Sequence, residues 1–360
     1  MKKVLFASTA LLLTGGMAMA DVTISGNGRF GLEYNEKDSF IADNGQTIDP
    51  NETTISLRLR FNIDASKETD SGVPFGGRIR MQYASGDSDY AGESGAGLSA
   101  AKLYAEYGGM RLEAGNVDTA YDSAALIYNS EMGFKDSSAG DPQGLFYSFN
   151  STPYGIGQTN RMGVAFFYSL DAFNVRLSWV NSDQTRTITD YYLDDQEAKY
   201  FEALEGFGYD DEYGISADYT FGAFTVSAAA VMNGNGIGDN DQFFIGGEYA
   251  INDVGAVGLQ YFDNGQLQDA YFADNDGDGI DELVVTDLDW GSQVTLYGSY
   301  TFDAVTVRGY VSNWDNDLNE DDTVFGLGAD YDLGGATLSG SVRSGYNSNY
   351  SADLGVKFSF

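Results

Sequence analysis

The chain has 360 residues, with 54 aspartates and glutamates against 19 lysines and arginines, for a formal net charge of −35. A polyanion of this size repels nucleic acid and attracts divalent cations. With no cysteine and no histidine, the chain has no disulfide or thiolate and lacks the usual general base and the Ser-His and Cys-His nucleophile pairs, so it is not expected to be an enzyme.

The N-terminus reads Met1-Lys2-Lys3, then a short apolar run from Val4 to Leu13, then Ala18-Met19-Ala20 before Asp21. Two lysines, a core too short to span a bilayer and a small-residue end predict a cleaved secretory signal peptide over 1–20. Residues 21–360 are then one exported domain.

Alternation with a period of two starts at once. Val22, Ile24, Phe30, Leu32 and Tyr34 share one face of a first segment, and Ile55, Leu57, Leu59, Phe61 and Ile63 one face of a second. Such segments are strands with one apolar and one polar side. They recur at roughly 22–34, 53–64, 75–85, 98–107, 109–116, 160–169, 173–182, 212–221, 223–233, 241–250, 255–263, 290–301, 304–314, 322–332, 335–345 and 351–360. That is about sixteen, each near the roughly ten residues with which a tilted strand crosses a bilayer. Pro50, Pro74, Pro142 and Pro153 all fall outside them, as a hydrogen-bonded ladder requires.

The connections alternate in length. Tight ones stand at 108–109, 170–172, 221–223, 252–253, 302–304 and 332–335, and longer ones at 35–52, 86–97, 117–159, 183–211, 264–289 and 346–350. Short turns at one end and long loops at the other predict an all-β fold, a transmembrane antiparallel β-barrel of the outer-membrane kind with a water-filled lumen. The last strand ends on Phe360, which is expected to close it. Tyr34, Tyr83, Tyr107, Tyr219, Tyr300 and Tyr331 lie near strand ends, where aromatic girdles meet lipid headgroups.

The first strands carry Arg29, Arg58, Arg60, Arg78, Arg80, Lys102 and Arg111, all with the parity opposite to the apolar face. They predict a basic wall on one side of the lumen. The longest connection, 116–159, carries Asp118, Asp122, Glu131, Asp136 and Asp141. Folded into the barrel, it would set these carboxylates across from the basic wall and narrow the pore, where such charges set ion preference.

The opening "DVTISGNGRFGLEYN", the turn "TFGAFTVSAAA", the stretch "FGLGADYDLGG" at 325–335 and the closing "ADLGVKFSF" resemble the trimeric general porins of Gram-negative bacteria, of the Rhodobacter type. The resemblance covers essentially the whole of 21–360. It implies a sixteen-stranded barrel, a homotrimer in outer-membrane lipid and lipopolysaccharide, an inward-folded third loop opposite basic wall residues, and passive diffusion of small hydrophilic solutes and ions. The acidic loops favour cations at the entrance and the arginine wall favours anions within, so weak cation selectivity is expected, screened beyond about 10 Å at about 0.1 M salt.

Outside that resemblance, "DNDGDGIDEL" in the external loop 264–289 offers Asp274, Asp276 and Asp278 as side-chain ligands, the Ile280 carbonyl and Glu282, with Gly279 at the turn. This spacing predicts a structural calcium site of the compact D-x-D-x-D-G-x-x-D/E kind; the glutamate an EF-hand needs at its twelfth position is here Val285. Two other readings compete with a general channel. One is a secreted calcium-dependent β-rich binding or adhesion protein, which the alternating loop lengths disfavour. The other is a substrate-specific channel, for which no continuous aromatic ladder is visible.

Overall fold

The computed structural model describes residues 21–37, 39–41, 47–85, 96–151, 161–184, 210–273 and 282–360, with residues 40–41, 268–273 and 282–287 described by their backbone alone. The expected signal segment 1–20 lies outside them. Sixteen antiparallel strands form one closed sheet. The first eight are Asp21–Asn35 (β1), Thr53–Glu68 (β2), Pro74–Ser85 (β3), the paired segments Gly97–Leu98 and Lys102–Tyr107 (β4), Met110–Gly115 (β5), Met162–Leu170 (β6), Phe173–Asn181 (β7) and Glu212–Phe221 (β8). The others are Phe224–Met232 (β9), Gln242–Ile251 (β10), Gly255–Asp263 (β11), Ser292–Phe302 (β12), Val305–Asp315 (β13), Thr323–Asp332 (β14), Thr337–Ser344 (β15) and Tyr350–Ser359 (β16).

Each strand pairs with its neighbours in sequence, and β1 pairs with both β2 and β16. No edge is left, which is the condition for a sheet in hydrocarbon, where no water can satisfy a free N–H or C=O. The alternation then sorts the side chains. Ile55, Leu259 and Leu354 expose 73%, 54% and 58% of their surface on the outer side, while Ser56, Gln260 and Asp353 beside them are buried within. The protein is therefore apolar outside and polar inside, the reverse of a water-soluble domain.

Tyr107, Tyr219, Phe221, Phe224, Tyr249, Tyr300, Phe302 and Tyr331 project outward near the tight connections. Several touch ring to ring, as in the run Tyr219–Phe221–Phe224–Tyr249 at 5.8, 5.7 and 4.8 Å. Tyr83, Tyr213, Tyr261 and Tyr350 project outward near the opposite end. Two aromatic belts thus bracket an aliphatic band, and of the six tyrosines singled out above only Tyr34 is half-buried.

The structure differs from the sequence expectations in three places. The 97–107 strand is broken at Ser99, whose Oγ accepts the Arg80 N–H at 2.9 Å in place of a ladder carbonyl. The connection from Ser344 to Tyr350 is as tight as a turn, so the final connection does not follow the long-loop rule. Two loops carry hairpins of their own, Phe40–Ile41 with Thr47–Ile48 and Gln266–Ala273 with Glu282–Asp289. The second hairpin occupies most of 264–289, because its alternating residues pair with each other beyond the rim of the barrel.

Closure ends at Phe360. Its N–H donates to the Gly26 carbonyl at 3.0 Å, the Gly26 N–H donates to its carbonyl at 2.8 Å, and its ring packs edge-on against Phe61 with centroids 5.2 Å apart. Gly26 has no room for a side chain: a Cβ there would stand 2.2 Å from the Arg60 carbonyl oxygen and 2.7 Å from the Phe360 ring. Replacing Gly26 by valine, or Phe360 by alanine, is expected to lower the yield of heat-modifiable folded barrel on refolding into lipid. The Phe360→Ala loss should be on the order of 2 kcal/mol, below the usual cost for a fully buried phenylalanine because the ring is partly exposed.

Candidate functional site

The connection after β5 starts at the long-loop end and turns into the barrel. Residues 116–151 run along the inner wall, and every wall side chain they meet has the inward parity. Going along the loop, the Ala120 N–H donates to Ser178 Oγ at 2.9 Å and the Ala125 N–H to Asp218 Oδ1 at 3.0 Å. Gln260 Nε2 donates to the Leu126 and Ile127 carbonyls, and Asn129 Nδ2 donates to Glu248 Oε2 at 2.8 Å. On the return leg, Gln293 Nε2 donates to the Ala139 carbonyl at 3.0 Å, Thr295 Oγ1 to the Gly140 carbonyl at 2.9 Å, and Trp290 Nε1 to the Gln143 carbonyl at 2.8 Å. Each such bond contributes about 1 kcal/mol net, and losing a donor to a buried carbonyl costs more.

Apolar contacts do the rest. Tyr121, Leu126 and Ile127 pack on Ala229, Val231, Phe244 and Phe262, and Met132 packs among Tyr297, Tyr310, Trp314, Val324 and Tyr346. Val117 and Tyr147 pack on Ala165 and Val180. Among the described residues, the hydrophobic core of this molecule is the seam between the inserted loop and the wall.

The tip of the loop, Gly133–Ser137, is held by charge. Arg29 Nη1 donates to the Lys135 carbonyl, and Lys135 Nζ pairs with Glu33 Oε2 at 3.1 Å. Lys357 Nζ reaches Asp136 Oδ1 at 2.6 Å and the Gly133 carbonyl at 3.1 Å. Arg343 donates to the Ser137 carbonyl and hydroxyl, and the Phe134 N–H donates to Asp353 Oδ1 at 2.9 Å. Gly133 has φ +75°, and a Cβ there would meet the Asp353 carboxylate at 2.3 Å; only glycine fits this approach.

All seven predicted wall cations face inward, but they divide into two groups. Arg78 forms a fork with Asp64 at 2.8 and 3.1 Å. Arg111 pairs with Glu106 and, at 2.6 Å, with Glu113, and lies 3.8 Å over the Tyr104 ring. Lys102, buried, pairs with Glu113 at 2.9 Å and with Asp118 at 2.6 Å. These three are neutralised where they stand. By contrast, Arg60 Nε donates to Gln82 Oε1 at 2.7 Å, and Arg80 donates to Asn62 Oδ1 at 2.8 Å and Ser151 Oγ at 2.9 Å, with its guanidinium 4.3 Å over Phe149. Arg58 Nη2 meets Asn27 Oδ1 at 3.3 Å. Arg29, Arg58, Arg60 and Arg80 thus form a basic patch on β1, β2 and β3, in which neutral oxygens orient Arg29, Arg60 and Arg80.

The five predicted loop acids also divide. Asp118 meets the wall directly, through Lys102. Asp136 meets Lys357 on β16, a partner the sequence reading did not single out although its parity is inward. Asp122 accepts from the Tyr128 hydroxyl at 2.8 Å and Asp141 from Ser130 Oγ at 2.9 Å, both within the loop. Glu131 has no hydrogen-bond partner for its carboxylate among the described residues. Burial, with Asp141 and Asp136 nearby, pushes its carboxyl up to about 8, against the pull of Lys357 and Arg29. Burial raises Asp141 to about 7 and Asp122 to about 6.

For the predicted calcium loop, Asp274, Asp276, Asp278 and Ile280 lie outside the described residues, and Glu282 is described by its backbone alone. Among the described residues no cluster of acids is arranged to hold a metal ion.

A closed, outwardly apolar barrel with a loop lodged in its lumen defines a membrane channel. A family model described as Gram-negative porin matches residues 7–350, and the chain belongs to that family. It is 40% identical over 342 residues to a porin of Fuscovulum blasticum, covering 94% of this chain and all of the relative, and 29% identical over 367 residues to a porin of Rhodobacter capsulatus. Solved structures of engineered Rh. blastica porins superpose with a TM-score of 0.74 at 39% identity, over 94% of this chain and all of theirs. The protein is an outer-membrane porin channel.

Three outcomes are expected at this site. A carboxyl held at about 8 is neutral at pH 7 and gains its charge above that. The cation-to-anion permeability ratio should therefore rise between pH 7 and 9, and reversal potentials should show this rise reduced in Glu131→Gln. The raised value also means that the folded state loses stability as pH climbs from the ordinary carboxylate range through about 8. Replacing Gln260 and Gln293 together by leucine removes the donors to the Leu126, Ile127 and Ala139 carbonyls, and single-channel records should show a larger, noisier open current as the loop loosens.

Proposed function

We propose that this porin forms a homotrimer and conducts small hydrophilic solutes and ions by passive diffusion with weak cation selectivity. The observation that supports the reading is the inserted loop 116–151, whose Asp118 pairs with Lys102 and whose tip, with Asp136, lies against Lys357 and Arg29. Opposed fixed charges orient water and dipolar solutes and leave only a modest net preference. The chain's net charge of −35 biases the entrances toward cations. Residues 1–20 serve as the export signal. Membership of a channel family, with no histidine in the chain, supports transport rather than catalysis.

The homotrimer rests on the resemblance to the trimeric general porins, with the aromatic belts facing outer-membrane lipid and lipopolysaccharide. The calcium reading rests on the spacing of Asp274, Asp276, Asp278, Ile280 and Glu282 and on the hairpin that brings the loop's base together, since Ala273 pairs with Glu282. Calcium there would pin one external loop and take no part in transport.

In planar bilayers under a KCl gradient, currents should rise in three equal steps per insertion, with a reversal potential on the cation side. A reversal potential on the anion side would overturn the selectivity. A calcium chelator should shorten the lifetime of the trimer in detergent in the native chain and not in Asp276→Ala; equal lifetimes with and without chelator would remove the calcium site.

A further inference from the structure

The inner face of the seam between β1 and β16 is paired like with like. Its inward residues stand opposite one another as Glu33 with Asp353, Gly31 with Gly355 and Arg29 with Lys357. Like charges directly opposed across two strands destabilise the pair, and opposed glycines have no side chains to pack. Arg29 has a further cation, Arg58 of β2, across from it on its other side. Taken alone, the seam offers two acids, a bare slot and two cations.

The tip of the inserted loop carries the complement of each pair. Against the acids it sets the Lys135 ammonium, 3.1 Å from Glu33 Oε2, and the Phe134 N–H, 2.9 Å from Asp353 Oδ1. Over the glycines lies the Phe134 ring: a Cβ on Gly355 would stand 2.7 Å from it, and Phe134 is fully buried. Against the cations it sets the Asp136 carboxylate, 2.6 Å from Lys357 Nζ, the Gly133 carbonyl, 3.1 Å from the same nitrogen, and the Lys135 carbonyl, which accepts from Arg29. The tip is a closed turn, since Met132 and Ser137 exchange backbone hydrogen bonds at 3.3 and 3.2 Å. Asn35 also bonds Glu33, Ser341 and Arg343 bond Asp353, and Asp330 lies 3.9 Å from Lys357. None of these joins β1 to β16, whereas residues 133–136 touch both.

We propose that residues 133–136 are the inner clasp of barrel closure: β1 and β16 hold firmly together only when the tip of the inserted loop is seated across them. Closing the wall and narrowing the pore are then coupled, because one turn of chain does both. A barrel whose loop is unseated is a barrel that opens at this seam. The inference is independent of the trimer, the ion selectivity and the calcium site proposed above.

The test is amide hydrogen exchange, read by mass spectrometry on the native porin folded in detergent and on three single variants. Phe134→Ala removes the ring and Lys135→Gln the ammonium. Ile127→Ala is the control, a buried residue of the same loop that packs on β9, β10 and β11 instead. In Phe134→Ala the amides that bond β1 to β16, within 27–35 and 351–359, should exchange about tenfold faster than in the native chain, because exchange reports local opening and a lost buried ring weakens its surroundings by at least that factor. The amides of β9–β11 should keep their native rates. Ile127→Ala should show the reverse pattern. Lys135→Gln should give a smaller rise confined to the seam, and it carries the test if Phe134→Ala does not fold. Native exchange at the seam in the tip variants, or a rise there as large in Ile127→Ala, would overturn the clasp. The exchange pattern is read without conduction, so it stands or falls apart from the channel's selectivity.

Discussion

The hydrogen bonds between β1 and β16, ending at Gly26 and Phe360, are the condition on which the rest of this structure depends. Once the first and last strands are joined, no backbone group faces lipid unsatisfied, and the outer surface can be wholly apolar. The same closure creates an interior whose alternate residues are polar wherever they face the water-filled lumen. An interior of that kind cannot pack on itself. The connection after β5 supplies what the sheet lacks: it brings Tyr121, Ile127, Met132 and Phe134 inward, and these are among the most completely buried side chains of the described protein.

The strands were legible because their signal is local. Alternation in "TISLRLRFNID" needs no knowledge of the partner strand, and the same parity that sends Ile55 and Leu57 outward sends Arg58 and Arg60 inward. The inward course of the third loop was legible in outline, from its length and its acids beside a run of inward arginines. Its route was not. The loop is held by wall glutamines, serines and threonines such as Gln260, Ser178 and Thr295, donating mostly to backbone carbonyls or accepting from backbone N–H groups. An inward glutamine that clamps a loop looks the same in sequence as one that faces water. For that reason Lys357 and Arg343 passed unnoticed while the arginines of the first strands stood out. The hairpin Gln266–Ala273 with Glu282–Asp289 was hidden by the aspartates around it, which suggest an open loop although Leu267, Leu283 and Val285 alternate.

Charge in the lumen is sorted by its partners more than by its sign. Lys102, Arg78 and Arg111 are balanced by carboxylates on their own or adjoining strands or at the start of the loop, so their fields end close to the wall. Arg60 and Arg80, oriented by amide and hydroxyl oxygens, keep most of theirs. Glu131 shows the reverse case: placed among acids and buried, it is neutral where an ordinary carboxylate would be ionised. A count of lumen charges taken from the sequence therefore overstates the field at some positions and understates it at others.

The third loop is fastened differently along its length. Its flanks are sewn down mostly by apolar contacts and backbone hydrogen bonds, with Asp118, Asp218 and Glu248 as the charged exceptions. Its tip is moored by Lys135 to Glu33, by Lys357 to Asp136 and by Arg29 and Arg343, and salt screens only the exposed part of such charges. One edge of the aperture thus hangs on a handful of polar contacts to β1, β15 and β16, while the rest of the loop is seated on the wall by packing.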